Sequence, residues 1–337
     1  MRYVISVIPG DGIGSDVVQA ALKVLERLAS RFSLDLEFVD VEAGDTAKMK
    51  HGIAMSDEAY AKIASSNACL KGPVGESAKQ VIIPLRQRLD LYANIRPAVT
   101  LPNIPSIHRD VDLVVVRENT EGLYKGIEDK TSEYAFGVRV VTRRASTRIA
   151  KIAYDMAARR RKRVTIVHKA NVLSSCELFS EACLEVAKDY PEIETEQMYV
   201  DNAAYQLVRN PRRFDVIVTT NMFGDILSDE AAGIVGSLGV SPSMNLGDRF
   251  GLFEPVHGSA PDLPKGTGNP LATIMSSRLM LDWVGEKYGD AAMKQASEEL
   301  WNVILKTLRK GKTLTSDLGG KSTTAEVTEA VIEEIAK

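Results

Sequence analysis

Three kinds of side chain in this 337-residue chain are spaced to do chemistry together. Asp225 and Asp229 stand four residues apart in Asn221-Met-Phe-Gly-Asp225-Ile-Leu-Ser-Asp229, directly after the apolar run 215–219. If that run is a strand and the segment after Gly224 a helix, both carboxylates project from one helical face at a strand's carboxyl end. Asp201, at the end of another strand-like run, would complete a hard, all-oxygen set suited to Mg²⁺ or Mn²⁺. A solvated helix face fits the Asp pair as well. Arg86, Arg96 and Arg117 lie at the ends of apolar elements and suggest a fork-shaped clamp for the carboxylates or phosphates of a small dianion. Lys169 directly follows the run Val164-Thr-Ile-Val-His168, where a partly buried amine is placed to move a proton and a solvent-facing one is not. With three Cys and four His, no cluster has zinc-ligand spacing.

These residues need rigid elements to hold them. Strand-like runs at 3–8, 36–41, 68–71, 111–117, 138–142, 164–168 and 216–220 alternate with helical periodicity at 16–32, 149–158, 270–285 and 290–308, which predicts an α/β fold. At this length two domains with a cleft between them are expected. The Pro-rich stretch 96–105 is the candidate crossing point between them. Gly10-Asp-Gly12-Ile-Gly14-Ser15 follows a strand but lacks the last glycine of the dinucleotide fingerprint, so it reads as a tight strand-to-helix turn rather than a Rossmann loop. Gly311-Lys312-Thr313 lacks the first glycine and the strand of a Walker A loop.

A formal net charge of −3 gives no general reason to bind nucleic acid. The basic run Arg159-Arg-Arg-Lys-Arg163 is the local exception, and it reads as a helix C-terminus favoured by the dipole. No apolar run reaches the roughly 20 residues that span a bilayer, no signal peptide is visible, and unpaired cysteines fit a reducing compartment. The expectation is a cytoplasmic protein.

Six ordered motifs carry a resemblance across essentially the whole chain: 8–14, 89–97, 116–124 (Val-Arg-Glu-Asn-Thr-Glu-Gly-Leu-Tyr), 167–171 (Val-His-Lys-Ala-Asn), 221–229 and 251–262 (Gly-Leu-Phe-Glu-Pro-Val-His-Gly-Ser-Ala-Pro-Asp). The chain resembles the β-decarboxylating dehydrogenases, the family of isopropylmalate, isocitrate, homoisocitrate and tartrate dehydrogenases, and among them the archaeal-type isopropylmalate members. The resemblance implies a two-domain, non-Rossmann α/β fold with the site in the interdomain cleft. A discontinuous cofactor domain of residues 1–91 and 236–337 would enclose a substrate, metal and dimerisation domain of residues 92–235. It further implies a substrate clamp of Arg86, Arg96 and Arg117 with Asn171 nearby, metal ligands Asp201, Asp225 and Asp229, a base Lys169 assisted by Asp201, and an acid Tyr124. A homodimer is implied in which Lys169 and Asp201 come from the partner.

By the same resemblance, His257, Gly258, Ser259, Ala260, Asp262, Leu263 and Asn269 line the cofactor loop. Asp262 replaces the lysine of NADP-dependent relatives; a carboxylate accepts from ribose hydroxyls and repels a 2′-phosphate, which selects NAD. Ile82 and Ile83 meet the substrate's third group, where hydrocarbon welcomes isopropyl and an unpaired carboxylate costs several kcal/mol. The expected reaction is oxidative decarboxylation of 3-isopropylmalate to 4-methyl-2-oxopentanoate, a leucine-biosynthesis step, with NAD and Mg²⁺ or Mn²⁺. Lys79, near the apolar pair, keeps homoisocitrate or isocitrate as the alternative substrate. A non-catalytic regulatory subunit is the alternative of another class, but such subunits lose catalytic residues that are all present here.

Overall fold

In the computed structural model, residues 1–336 are described. Twelve strands are found: β1 (Arg2–Ile8), β2 (Asp35–Asp40), β3 (Ala68–Lys71), β4 (Ala93–Val99), β5 (Asp112–Glu118), β6 (Glu128–Lys130), β7 (Ala135–Gly137), β8 (Arg163–His168), β9 (Glu194–Tyr199), β10 (Val216–Thr219), β11 (Pro242–Leu246) and β12 (Gly251–Pro255). Ten of them form one sheet in the order β2-β1-β3-β12-β11-β4-β5-β10-β8-β9, while β6 and β7 form a separate hairpin. Each wing of the large sheet is parallel, and β11 and β4 join the wings through antiparallel ladders. Parallel strands with helices on both faces are buried all round, and β3 and β10 are buried at every position. This is the α/β, non-Rossmann architecture expected from the sequence.

Apolar stripes decide where the helices pack. Helix Gly14–Phe32 buries Val17, Val24, Leu25 and Leu28 on one stripe, against helices Leu271–Tyr288 and Thr324–Ala336. The resulting core takes residues from both chain ends, among them Tyr3, Leu70, Phe253, Met280 and Val331. A second core lies around helices Arg143–Ala158 and Ser174–Ala187 and includes Ile95, Val116, Tyr154, Ile166 and Val218. Met244 and Leu246 of β11 touch both cores.

Several local expectations change. Segment 138–142 is not a strand: only Val140 bridges, to Gly122, and Thr142 instead caps helix Arg143–Ala158 by accepting from Ala145 N–H at 3.2 Å. Its side-chain oxygen suits a helix start better than a ladder. Arg96–Val99 of the Pro-rich stretch is the second half of a central strand. Pro97 is tolerated because β11 pairs with β4 only at Ala93, Asn94 and Ile95, leaving the proline's missing N–H outside that ladder. The glycine turn before helix Gly14–Phe32 forms as expected, with positive φ at Gly10 and Gly12. A Cβ on Gly12 would lie 2.0 Å from Ser259 O, so the turn and the 256–270 loop could not meet without glycine. The basic run is consumed by ion pairs: Arg159 with Glu286, Arg160 with Asp112 and Asp215, Arg163 with Glu194. No helix among the described residues is long and apolar enough to cross a membrane.

Candidate active site

The three arginines come from helix Ala78–Arg88, from β4 and from β5; Arg96 and Arg117 bond to helix Asn221–Val235, and Arg86 pairs with Glu254 of β12. Arg117, only 1 % exposed, donates through Nε and Nη2 to Asn221 Oδ1 (3.1 and 2.6 Å) and through Nη1 to Asp225 Oδ1 (2.5 Å). Gly224 permits this approach, since a Cβ there would lie 2.7 Å from Arg117 Cβ and Cγ. Arg96 donates through Nη1 to Ser228 Oγ (2.8 Å) and Asp229 Oδ1 (3.2 Å) and lies 3.1 Å from Asp225 Oδ1. Arg86 reaches Glu254 Oε1 at 3.4 Å. The buried Nε atoms of Arg86 and Arg96 have no hydrogen-bond partner, leaving donor capacity for a further anion.

Electrostatics sharpen the assignment. Burial and the neighbouring Arg96 and Arg86 lower the Arg117 guanidinium to about 9. Burial alone would raise the carboxyl of Asp225, but Arg117 and Arg96 outweigh it and leave the group lowered and ionised. Asp229 goes the other way: burial raises its pKa, and Arg96 offsets this only in part. Tyr124 donates to Asp225 Oδ2 at 3.0 Å, and burial together with that carboxylate raises its pKa, so it holds its proton at neutral pH. The site thus gathers three cationic forks, two acidic oxygen donors one helical turn apart, and a phenolic proton.

Lys169 and Asp201 form a second, separate group. Lys169 follows β8, Asp201 lies in the first turn of helix Val200–Arg209, and the ammonium pairs with Asp201 Oδ1. Among the described residues no three acidic, His or Cys side chains gather as a metal site. The three-carboxylate set does not assemble within one chain, because Asp201 sits on another helix and faces Lys169. Asn171 is exposed in the turn after Lys169.

Beside Arg86 and Tyr124 lies a cavity of about 420 Å³ lined also by Lys79, Ile82, Ile83, Leu123 and Glu128, among others. Ile82 and Ile83 both line it. Lys79 is not free: its ammonium pairs with Glu128 of β6, 49 positions along the chain.

The 256–270 loop leads from β12 into helix Leu271–Tyr288. His257 donates through Nδ1 to Gly258 O at 2.9 Å, burial lowers its pKa, and its buried Nε2 has no partner. Ser259 is buried, Gly258, Asp262 and Leu263 are exposed, and Ala260 has positive φ. Asn269 is already engaged: Oδ1 accepts from Leu271 N–H (3.0 Å) and Nδ2 donates to Asp317 (3.1 Å). Asn221, Ser228 and Glu254 were not singled out from sequence. Glu254 is buried against Lys71 (2.7 Å), Asn245 (2.8 Å) and Arg86; an acidic residue inside an apolar strand run was the available signal.

An α/β scaffold with an arginine fork over acidic oxygens suits a small carboxylic acid and a divalent cation. Residues 4–331 match the isocitrate/isopropylmalate dehydrogenase family, and the chain belongs to it. It is 46 % identical over 338 residues to the 3-isopropylmalate dehydrogenase of Sulfurisphaera tokodaii, covering 99 % of this chain and 100 % of that one. It is also 46 % identical over 344 residues to the isocitrate/homoisocitrate dehydrogenase of Thermus thermophilus, with 99 % of each covered. The isocitrate dehydrogenase structure from Methylococcus capsulatus superposes with a TM-score of 0.92 at 42 % identity, covering all of both chains. The family's enzymes use a divalent metal and NAD(P).

Proposed function

We propose that the protein is a homodimeric, NAD-dependent enzyme that oxidatively decarboxylates 3-isopropylmalate to 4-methyl-2-oxopentanoate with Mg²⁺ or Mn²⁺; its Sulfurisphaera relative is a 3-isopropylmalate dehydrogenase. Relatives of equal identity carry isopropylmalate or isocitrate/homoisocitrate activity, so the substrate rests on the cavity. Its walls offer Ile82 and Ile83, and its one lysine is neutralised by Glu128, so a branched hydrocarbon is matched and a third carboxylate is not.

Asp225, ionised beside its arginines, and Asp229 supply hard oxygens, which suits a divalent cation. The unpartnered His257 Nε2 and the glycine turn behind Ser259 suit a cofactor. When bound, the cation polarises the 2-hydroxyl and its carboxylate and NAD accepts the hydride. Arg86, Arg96 and Arg117 hold the malate carboxylates so that the reacting carbons cannot turn. Lys169, once its ammonium proton has passed to Asp201 or solvent, takes the hydroxyl proton as the neutral amine. Tyr124, protonated against Asp225, delivers a proton to the enol carbon after CO₂ leaves. The exposed Asp262 pairs with ribose hydroxyls and selects NAD.

A second copy of the chain is needed to bring Lys169 and Asp201 to the arginines. Large exposed apolar side chains near these elements, Ile226 (59 %), Tyr205 and Val172, support such a contact. The test combines a substrate panel with subunit mixing. Wild-type protein should turn over isopropylmalate with NAD faster than isocitrate, homoisocitrate, malate or tartrate. Lys169→Met and Asp225→Asn, each inactive, should regain about a quarter of wild-type activity when dissociated and reassociated in equal amounts, since half the dimers then hold one intact shared site. Absence of any recovery refutes the shared site; preference for homoisocitrate refutes the substrate.

A further inference from the structure

β4 and β11 part company after Ile95 and Met244, the last pair of their ladder in that direction. The split opens a groove of about 390 Å³, walled by helix Arg143–Ala158 on one side and by helices Leu271–Tyr288 and Ala291–Lys310 on the other. Its surface is largely hydrocarbon, with Val99, Met244, Leu279 and the Trp301 ring among the lining groups. Four charged groups also line it, and two are spent: Arg160 pairs with Asp112 at 2.7 Å and with Asp215 at 2.8 Å.

The other two are Arg278 and Asp282, one helical turn apart on the same helix. Among the described residues neither side chain forms a hydrogen bond or an ion pair. Arg278 lies over Trp301, 5.3 Å from the ring centroid, and its Nε is buried with no acceptor. Burial lowers its pKa, and the attraction of Asp282 and Glu298 does not make up the difference. With Nε buried and neither Nη group paired, the guanidinium is left with its two Nη groups to receive a carboxylate end-on through two parallel hydrogen bonds. Asp282, a turn away, is placed to receive an ammonium. A simple anion would be repelled by Asp282, and an amine would leave the fork empty.

We infer that the groove is a binding site for a zwitterionic α-amino acid with an aliphatic side chain, its carboxylate on Arg278, its ammonium on Asp282 and its hydrocarbon in the split between β4 and β11. The groove would hold such a ligand between the two helical layers, on the face of β4 opposite Arg96, whose neighbours Ile95 and Pro97 line it. This inference does not depend on the reading of the catalytic site.

The test is calorimetric titration of the full-length protein with L-leucine as the probe. Saturable binding with a Kd of about 1 mM or tighter is expected. 4-Methylpentanoate and 3-methylbutylamine, which lack one charge each, should bind at least about tenfold more weakly, as should L-leucine to Arg278→Met and to Asp282→Asn. Both variants should keep wild-type turnover, which checks that they fold. Val99→Phe, which fills the groove without touching either charge, should abolish binding. No saturation by about 20 mM leucine, or equal binding by the wild type and both charge variants, would overturn the inference.

Discussion

Ile83→Ala tests the substrate assignment most directly. The substitution removes three carbon atoms from the cavity wall beside Arg86 and Tyr124 while leaving every charged group in place. At about 0.8 kcal/mol per buried carbon the ceiling is about 2.4 kcal/mol, and because Ile83 is half-buried already, a loss of about 1–2.4 kcal/mol is expected. That corresponds to a fall of about 5–60-fold in kcat/KM for isopropylmalate. Malate, which lacks the 3-substituent, never meets this wall, so its kcat/KM should change by less than about twofold. The contrast between the two substrates separates pocket from fold, and a melting curve checks stability. Glu128→Gln belongs to the same experiment: it frees Lys79, and because the pair is well exposed (side chains 68 % and 50 %), it should raise homoisocitrate turnover by no more than about fivefold. Lys79→Ala in that background should remove the gain. If Ile83→Ala lowered malate and isopropylmalate turnover equally, the cavity would not be the substrate's third pocket.

The remaining expectations concern metal, cofactor and core. A chelator should abolish turnover and added Mg²⁺ or Mn²⁺ restore it, while Asp225→Asn should weaken metal and substrate binding together, read by calorimetric titration with the metal and with the substrate. Asp262→Lys should shift preference toward NADP; a wild-type enzyme that used both cofactors equally would show that the exposed Asp262 plays no part in the choice. Burial opposes the charge on Glu254, yet Lys71 and Arg86 bring it down to about 2 from 4.5, so its contribution is complete above about pH 4.5 and disappears as pH falls toward 2. Lys71→Met strips the nearer partner from a pair whose side chains are 2 % and 8 % exposed and should cost about 3–5 kcal/mol in chemical denaturation, with Lys71→Met/Glu254→Gln recovering part of it. A single variant as stable as the wild type would mean that Arg86 and Asn245 alone satisfy Glu254.

What the sequence determined by itself lies within short reach along the chain. Alternating strand and helix periods depend on neighbouring residues, so β3 at Ala68–Lys71 and helix Leu271–Tyr288 were legible, and so was the single helical face carrying Asp225 and Asp229. Segment 138–142 misled because β-branched residues suit a strand locally, whereas its hydroxyl was needed as a helix cap. Tertiary structure decided which distant elements meet. Arg117 finds Asn221 and Asp225 more than 100 positions away, Arg86 finds Glu254 168 positions away, and Lys79 is neutralised by Glu128 rather than left for a substrate. The antiparallel joint of β11 and β4 had no local signature, since Pro97 argues against a central strand until one sees that the β11 ladder stops at Ile95. The same packing set Asp201 against Lys169, because a carboxylate on a different helix goes where its own helix axis and strand end carry it, whatever its spacing in the sequence.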